Sequence, residues 1–295
     1  MTDTLNLSPF SIAEYIRCGM RYQHRYVLHT PITVGPSPAA VRGRAMHKGA
    51  ETDLRERIKD PETVPPLEVS VTAAVEAFEQ SERGEDVYER EDGTVIVTQG
   101  EPPAWEQFGE KAGKNKDLLA AQMVPTWHSQ IAPTTKPKAV EQWAAITLNG
   151  DGVSVRLRGR LDVLPADGVL SDLKHSRKAF GKTNYSTTED AGTDDQLTAY
   201  DLLYRAATEQ IPSRLGFDTV MLDGKRGSDD LFVTGIAQPR VEPRTEAQLQ
   251  RYLDKVQRVA KGIQAGVFVP TTPDSWSCSS RWCPFWRKCA YGGAK

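Results

Sequence analysis

Residues 156–178 read RLRGRLDVLPADGVLSDLKHSRK, and the fold turns on how this stretch is paired. Val153–Leu164 alternates apolar with polar side chains, Val169–Leu173 is mostly aliphatic, and a short break at Ala166, Asp167 and Gly168 parts them. Alternation of this kind predicts strand, and the glycine predicts a three-residue hairpin loop with Gly168 in the left-handed region. In that register Pro165 faces Val169 and Asp162 stands directly opposite Asp172, with Lys174 two residues further on the same face. Facing carboxylates repel. A hard divalent cation between them reverses the sign, because magnesium and manganese take oxygen ligands. A lysine beside such an ion orients, or helps deprotonate, a water, which is the equipment of metal-assisted phosphodiester hydrolysis. Taken alone, D-x9-D-x-K also fits a solvated hairpin with scattered charges.

At 295 residues the chain is long enough for one large core with appendages. Its 39% hydrophobic and 26% charged residues describe a polar, soluble class, and no apolar run approaches the roughly 20 residues of a membrane span. The start, MTDTLNLSPF, has no basic-then-apolar signal pattern, so a reducing cytoplasm is expected, where disulfides are rare. A net charge of −2 does not advertise nucleic acid, but residues 153–182 gather Arg156, Arg158, Arg160, Lys174, Arg177, Lys178 and Lys182 against Asp162, Asp167 and Asp172. That patch is equally a solvated strand face or a surface that follows a phosphate backbone.

Ser8-Pro9 opens a first helix that is expected to run through Tyr15, Cys18, Tyr22 and Tyr26, and Ser11 with Glu14 has capping-box spacing. A second helix is expected from about Ala39 to Lys59; it carries His47, and its Gly43 and Gly49 suggest close approach by another segment. A lone histidine there is more often a core or surface residue than a ligand. Residues 60–135 read as a helical insertion or lid, with helical character at Val69–Ser81 and Trp105–Ile131 and an Asp92-Gly93 turn. Val140–Leu148 is a strand joined through Asn149-Gly150-Asp151-Gly152 to the next, and Glu141 on it could reach the metal face but reads first as an exposed edge charge. A helix from Thr193 or Asp194 puts Gln196 and Tyr200 on one face. Leu215–Leu222 and Leu231–Ala237 form a strand pair about a Gly224–Gly227 turn, and Arg244–Ala265 is a long helix.

The tail holds Cys278, Cys283 and Cys289 in C-x4-C-x5-C spacing, and Cys18 is the only other cysteine. Three thiolates do not close a four-coordinate site. All of them together suit an iron–sulfur cluster or zinc. Such a clasp would join the first helix to the last segment.

With these pieces in order, the chain resembles the RecB-like exonucleases of the PD-(D/E)xK superfamily. It is most similar to the iron–sulfur exonucleases associated with CRISPR systems and also found in phage genomes, and AddB-type nuclease domains share the cysteine arrangement. The resemblance implies that His47 in GRAMH and Asp162 in GRLD bind metal. It implies that Asp172 and Lys174 in SDLK are the (D/E)-x-K motif, and that Gln196 and Tyr200 are the Q-x3-Y helix that contacts DNA and supports the site. Cys18, Cys278, Cys283 and Cys289 match the four ligands of a [4Fe–4S] cluster. Asp172 stands where glutamate is commoner, and C-x4-C-x5-C where C-x2-C-x5-C is usual.

The expectation is a single domain over 1–295 with an α/β, restriction-endonuclease-like core. A mixed central sheet is flanked by helices, 60–135 is inserted, and 276–291 is an iron–sulfur segment closed by Cys18. The implied activity is a magnesium- or manganese-dependent DNA exonuclease in which His47, Asp162, Asp172 and the Leu173 carbonyl hold the metal and Lys174 positions the water. Arg160, Arg177 and Lys178 join Gln196 and Tyr200 as DNA contacts. A non-hydrolytic DNA-end-binding adaptor of a recombination or spacer-acquisition complex is the rival reading, and a zinc clasp the rival to the cluster. SRKAFGKT at Ser176–Thr183 lacks the first glycine of a Walker motif, so a helicase motor would be a separate partner.

Overall fold

The computed structural model describes residues 4–150, 152–177, 184–224 and 230–292. Strand β1 (Leu5–Leu7) leads into helix α1 (Pro9–Arg17), where Ser8 and Ser11 cap each other's amides. The reciprocal cap therefore starts three residues before the Ser11–Glu14 spacing. The expected continuous helix through Cys18 breaks there. Cys18 is extended (φ −163°, ψ 105°) between α1 and α2 (Gly19–Tyr22), and a π-helical turn, Gln23–Val27, follows. The cause is the C-terminal segment: the Gly19 amide donates to the Val269 carbonyl at 2.8 Å, and a Cβ at Gly19 would lie 2.6 Å from the Val269 nitrogen. Only glycine admits that approach.

Helix α3 (Pro38–Lys59) is capped by the Ser37 hydroxyl. Both of its marked glycines are close approaches. A Cβ at Gly43 would meet His175 Nε2 at 3.3 Å, and one at Gly49 would meet Ser70 O at 2.8 Å on helix α4 (Leu67–Glu82). Strands β2 (Glu85–Glu89) and β3 (Val95–Gln99) form a hairpin turning at Asp92-Gly93. Then α5 (Ala112–Leu118), a π turn at Leu119–Met123, α6 (Val124–Thr126) and a second π turn at Trp127–Ile131 make one helical run. Pro125, which has no N–H to donate, sits in its middle, where the bond register slips. Phe78, Leu119, Met123, Trp127 and Ile131 from this region share one core with Val41, Ala45 and Met46 of α3. The helices of 60–135 are thus built into the core, and the β2–β3 hairpin alone stands off from it.

Strands β4 (Pro137–Gly150) and β5 (Val153–Pro165) pair antiparallel, and β1 adds in parallel to β5, completing a three-stranded sheet. The second sheet holds β6 (Val169–Arg177), then, after α7 (Thr188–Thr193) and α8 (Asp195–Thr208), β7 (Arg214–Asp223), β8 (Phe232–Ala237) and β9 (Arg240–Val241). Here β6 runs parallel to β7, and β8 and β9 pair antiparallel with β7. Helix α9 (Glu246–Gln264) packs Tyr252, Val256 and Ala260 against Val155, Leu157 and Ala199.

The β5–β6 hairpin is a correction. Gly168 is left-handed at φ 77°, as expected, but among the described residues the two strands share no ladder pair. Leu170, Ser171, Asp172 and Leu173 are buried in succession, the mark of a strand covered on both faces, and β6 takes β7 as its partner. Lys178, Lys182, Asp151 and part of the Gly224–Gly227 turn lie outside the described residues.

Candidate active site

The site lies where β5 and β6 part. Asp162 points off β5 and accepts the Leu173 amide through Oδ2 at 2.9 Å. His47 reaches from α3, with Nε2 2.8 Å from the Leu173 carbonyl and Nδ1 3.6 Å from Asp162 Oδ2. Since the carbonyl can only accept, His47 Nε2 carries the proton. Octahedral magnesium with ligands near 2.1 Å separates neighbouring donors by about 3 Å. In this tautomer Nδ1, 3.6 Å from Asp162 Oδ2, is the imidazole nitrogen left to bind an ion beside the carboxylate.

Glu141 completes the group and is the residue that sequence reasoning passed over. The donor atoms of His47, Glu141 and Asp162 all lie within 4.8 Å of one another. The β4–β5 register pairs Val140 with Val163 and Gln142 with Leu161, which sets Glu141 opposite Asp162. Glu141 adopts φ 53°, a left-handed conformation unusual for a non-glycine residue and of a kind that clusters at functional sites. Far from an exposed edge charge, its side chain is 9% exposed and pairs with Arg160 at 2.5 Å. Burial, then the facing Asp162, push its carboxyl up to about 8, although Arg160 pulls the other way. Two carboxylates held together at this cost, beside an imidazole and a carbonyl, are a donor set that fits a hard divalent cation.

Asp172 is not opposite Asp162 but behind it, 1% exposed. Its Oδ1 accepts from Gln196 Nε2 at 3.1 Å, and its Oδ2 meets the Lys174 ammonium. Burial pushes Asp172 up to about 7 while Lys174 pulls it down. For Lys174 burial acts to lower the pKa, but Asp172 and Asp162 more than offset it and the net shift is upward. The closeness of the ammonium to two carboxylates decides for the ionised pair.

Gln196 is the hub: Lys174 Nζ donates to its Oε1 at 3.1 Å, and its Nε2 donates to Tyr200 Oη at 2.9 Å as well as to Asp172. Tyr200 is buried, so both residues of the Q-x3-Y pair turn inward to the Asp172–Lys174 pair. Arg160 lies beside Glu141, and Arg177 donates to the Gly224 carbonyl at 3.1 Å. Lys178 is not described.

Away from this site, Cys18, Cys278, Cys283 and Cys289 line one pocket together with His24 and Phe285. The extended Cys18 backbone brings the first of them to it. No three of their sulfurs come within 4.8 Å of one another.

No curated protein matches the sequence. Among solved structures, a protein from Eubacterium rectale whose exonuclease assignment is provisional superposes with a TM-score of 0.50 at 13% identity, covering 92% of this chain and 86% of that one. The crystal structure of SSO0001 covers 96% of each chain at 12% identity, but its TM-score of 0.34 carries no weight. The first likeness speaks to the fold alone. A family model of the PD-(D/E)XK nuclease superfamily matches residues 6–290. With its sheets flanked by helices in a restriction-endonuclease-like arrangement, the chain belongs to the PD-(D/E)XK nuclease superfamily.

Proposed function

We propose that the protein is a divalent-metal-dependent DNA exonuclease with an iron–sulfur cluster bound by Cys18, Cys278, Cys283 and Cys289. The observation that carries the reading is the convergence of His47, Glu141, Asp162 and the Leu173 carbonyl beside the Asp172–Lys174 pair. Magnesium or manganese held there supplies Lewis-acid stabilisation of charge on the scissile phosphate. His47, Glu141, Asp162, Asp172 and the Leu173 carbonyl would hold the ion. Lys174, fixed by Gln196, would donate to and align the attacking water. Tyr200 and Gln196 act as positioning residues.

The reading of a cluster rests on the four cysteines lining one pocket, a donor set that zinc would also accept. A cytoplasmic location agrees with four free cysteines, and no helix among the described residues is long and apolar enough to cross a membrane.

The deciding assay is degradation of end-labelled single- and double-stranded DNA with added manganese. Loss of 5′ or 3′ nucleotides by the wild type, abolished in Asp162→Ala and Lys174→Ala, is the expected result. A wild type that binds DNA ends without degrading them would replace the enzyme by the adaptor reading. An anaerobically purified protein that is colourless and holds stoichiometric zinc would remove the cluster.

A further inference from the structure

The outer face of β5 carries more than the metal-binding aspartate. Arg156, Arg158, Arg160 and Asp162 alternate with the buried Leu157, Gly159 and Leu161, so all four project from one face. Alternate residues on a strand are about 6.8 Å apart, near the contour separation of successive phosphates in an extended polynucleotide. Trp143, the ladder partner of Arg160, lies beneath the row, 5.7 Å from the Arg158 guanidinium and 5.9 Å from that of Arg160. A line of guanidiniums with an interleaved aromatic ring is the chemistry of a single-strand groove.

That row is covered. Glu91, at the tip of the β2–β3 hairpin, forks onto Arg156 at 3.0 and 2.8 Å and reaches Arg158 at 3.4 Å. Hydrogen bonds from Arg156 hold its carboxyl below the usual range. The hairpin's other ties to α3 are Arg44–Asp86 at 2.8 Å and Arg55–Glu89 at 3.9 Å, both solvent-exposed pairs of the kind that contribute little. Val95 and Val97 on one hairpin face are 61% and 63% exposed, so that face is not anchored by a core. A lone two-stranded hairpin is marginal.

We propose that the Arg156–Arg158–Arg160 row with Trp143 is the track along which one polynucleotide strand runs to the metal-binding carboxylates, and that Glu91 closes this track by standing where a backbone phosphate will lie. The proposal rests on the nuclease reading. A carboxylate on a guanidinium fork is the nearest side-chain counterpart of a phosphate oxygen pair. Substrate therefore exchanges one anion for another as it lifts the hairpin, and the charge on Arg156 is never left bare. It also explains how a chain of net charge −2 offers a cationic groove only when a strand competes for it.

The test is equilibrium binding of a labelled single-stranded oligonucleotide of about 15 nucleotides, in EDTA so that nothing is cleaved. Glu91→Gln is expected to bind roughly three- to tenfold more tightly than wild type. Its salt dependence should be steeper by about one counterion, since salt no longer helps to break an internal pair. The Arg156→Ala/Arg158→Ala variant is expected to bind more weakly and to lose its response to Glu91→Gln. Circular dichroism controls for folding. Unchanged or weaker binding by Glu91→Gln, or wild-type affinity without the two arginines, overturns the proposal. If manganese-dependent degradation occurs while these affinities stand still, only the track fails. If the affinities shift as expected but no degradation occurs, the nuclease reading fails and the track remains.

Discussion

Replacing Glu141 by glutamine should make the ion-free protein more stable and its metal binding weaker, two effects of opposite sign from one carboxyl group. Glu141 is pushed from 4.5 to about 8, first by burial and then by Asp162. A raised folded-state value means that the folded protein holds a proton the unfolded chain has released, so stability falls as pH rises from about 4.5 through about 8. At pH 7 the unfolded value is exceeded by about 2.5 units, which at about 1.4 kcal/mol per unit sets a ceiling of about 3.5 kcal/mol. Glutamine is isosteric, keeps an acceptor for Arg160 and carries no charge. A gain of about 1–3 kcal/mol at pH 7 is expected, shrinking below about 1 kcal/mol at pH 5. With manganese the order reverses, because ligand binding stabilises in proportion to ln(1 + [L]/Kd) and glutamine is the poorer donor. Urea unfolding at both pH values, in EDTA and then across a manganese titration, reads all of this, with the cysteine site loaded equally in both proteins. A glutamine variant less stable than wild type at pH 7 in EDTA would refute the electrostatic argument. Equal manganese-induced stabilisation in the two proteins would refute Glu141 as a ligand.

Gln196→Ala removes the shared partner of Asp172, Lys174 and Tyr200, and should slow DNA degradation by about 10- to 100-fold with little change in melting temperature. Tyr200→Phe should cost much less in rate. Gly19→Ala drives a methyl into the Val269 and Phe268 backbone and should destabilise by about 1–3 kcal/mol, with faster limited proteolysis of residues 270–292. Asp53, fully buried, answers Arg57, Ser70 and His128; Asp53→Ala leaves them unpaired and should cost about 3–5 kcal/mol in chemical denaturation.

What the sequence disclosed was local. The Ser8 cap, α3, the β4–β5 hairpin and α8 each rest on signals within a few residues, and each formed where it was expected. The pairing of β6 was not local, since its partner β7 begins at Arg214, and the run from Leu170 to Leu173 has the continuous burial of a parallel strand that alternation cannot express. Glu141 was within reach once the turn is placed after Gly150: carrying the β4–β5 register back from the Gly150–Val153 pair sets it against Asp162. Its left-handed backbone, which takes it out of the ladder, had no signal. The Q-x3-Y spacing gave the shared face of Gln196 and Tyr200 but not that this face turns toward Asp172. The cysteines were legible by number, because only Cys18 was left to meet the tail, yet the break in helix that frees it depends on Gly19 and Val269 meeting from opposite ends of the chain.

The missing β5–β6 ladder and the active site have one cause. In a strand the amide and carbonyl of one residue point the same way, and those of Leu173 face β5, where a ladder would use them. Asp162 takes the amide at 2.9 Å and His47 the carbonyl at 2.8 Å, so two side chains satisfy an edge that another strand would otherwise have to pair. Closing the seam and holding a cation are then alternative uses of the same groups, and a ligand variant should disturb both. Asp162→Ala leaves the Leu173 amide without an acceptor, whereas Asp162→Asn keeps one through its carbonyl oxygen. Both should abolish metal-dependent cleavage, but only Asp162→Ala should speed hydrogen exchange at the Leu173 amide, by about tenfold for a lost bond of about 1.4 kcal/mol. Equal protection in the two variants would show that the seam is held by the packing of Val163 and Leu173 in the core, and that the carboxylate serves the ion alone.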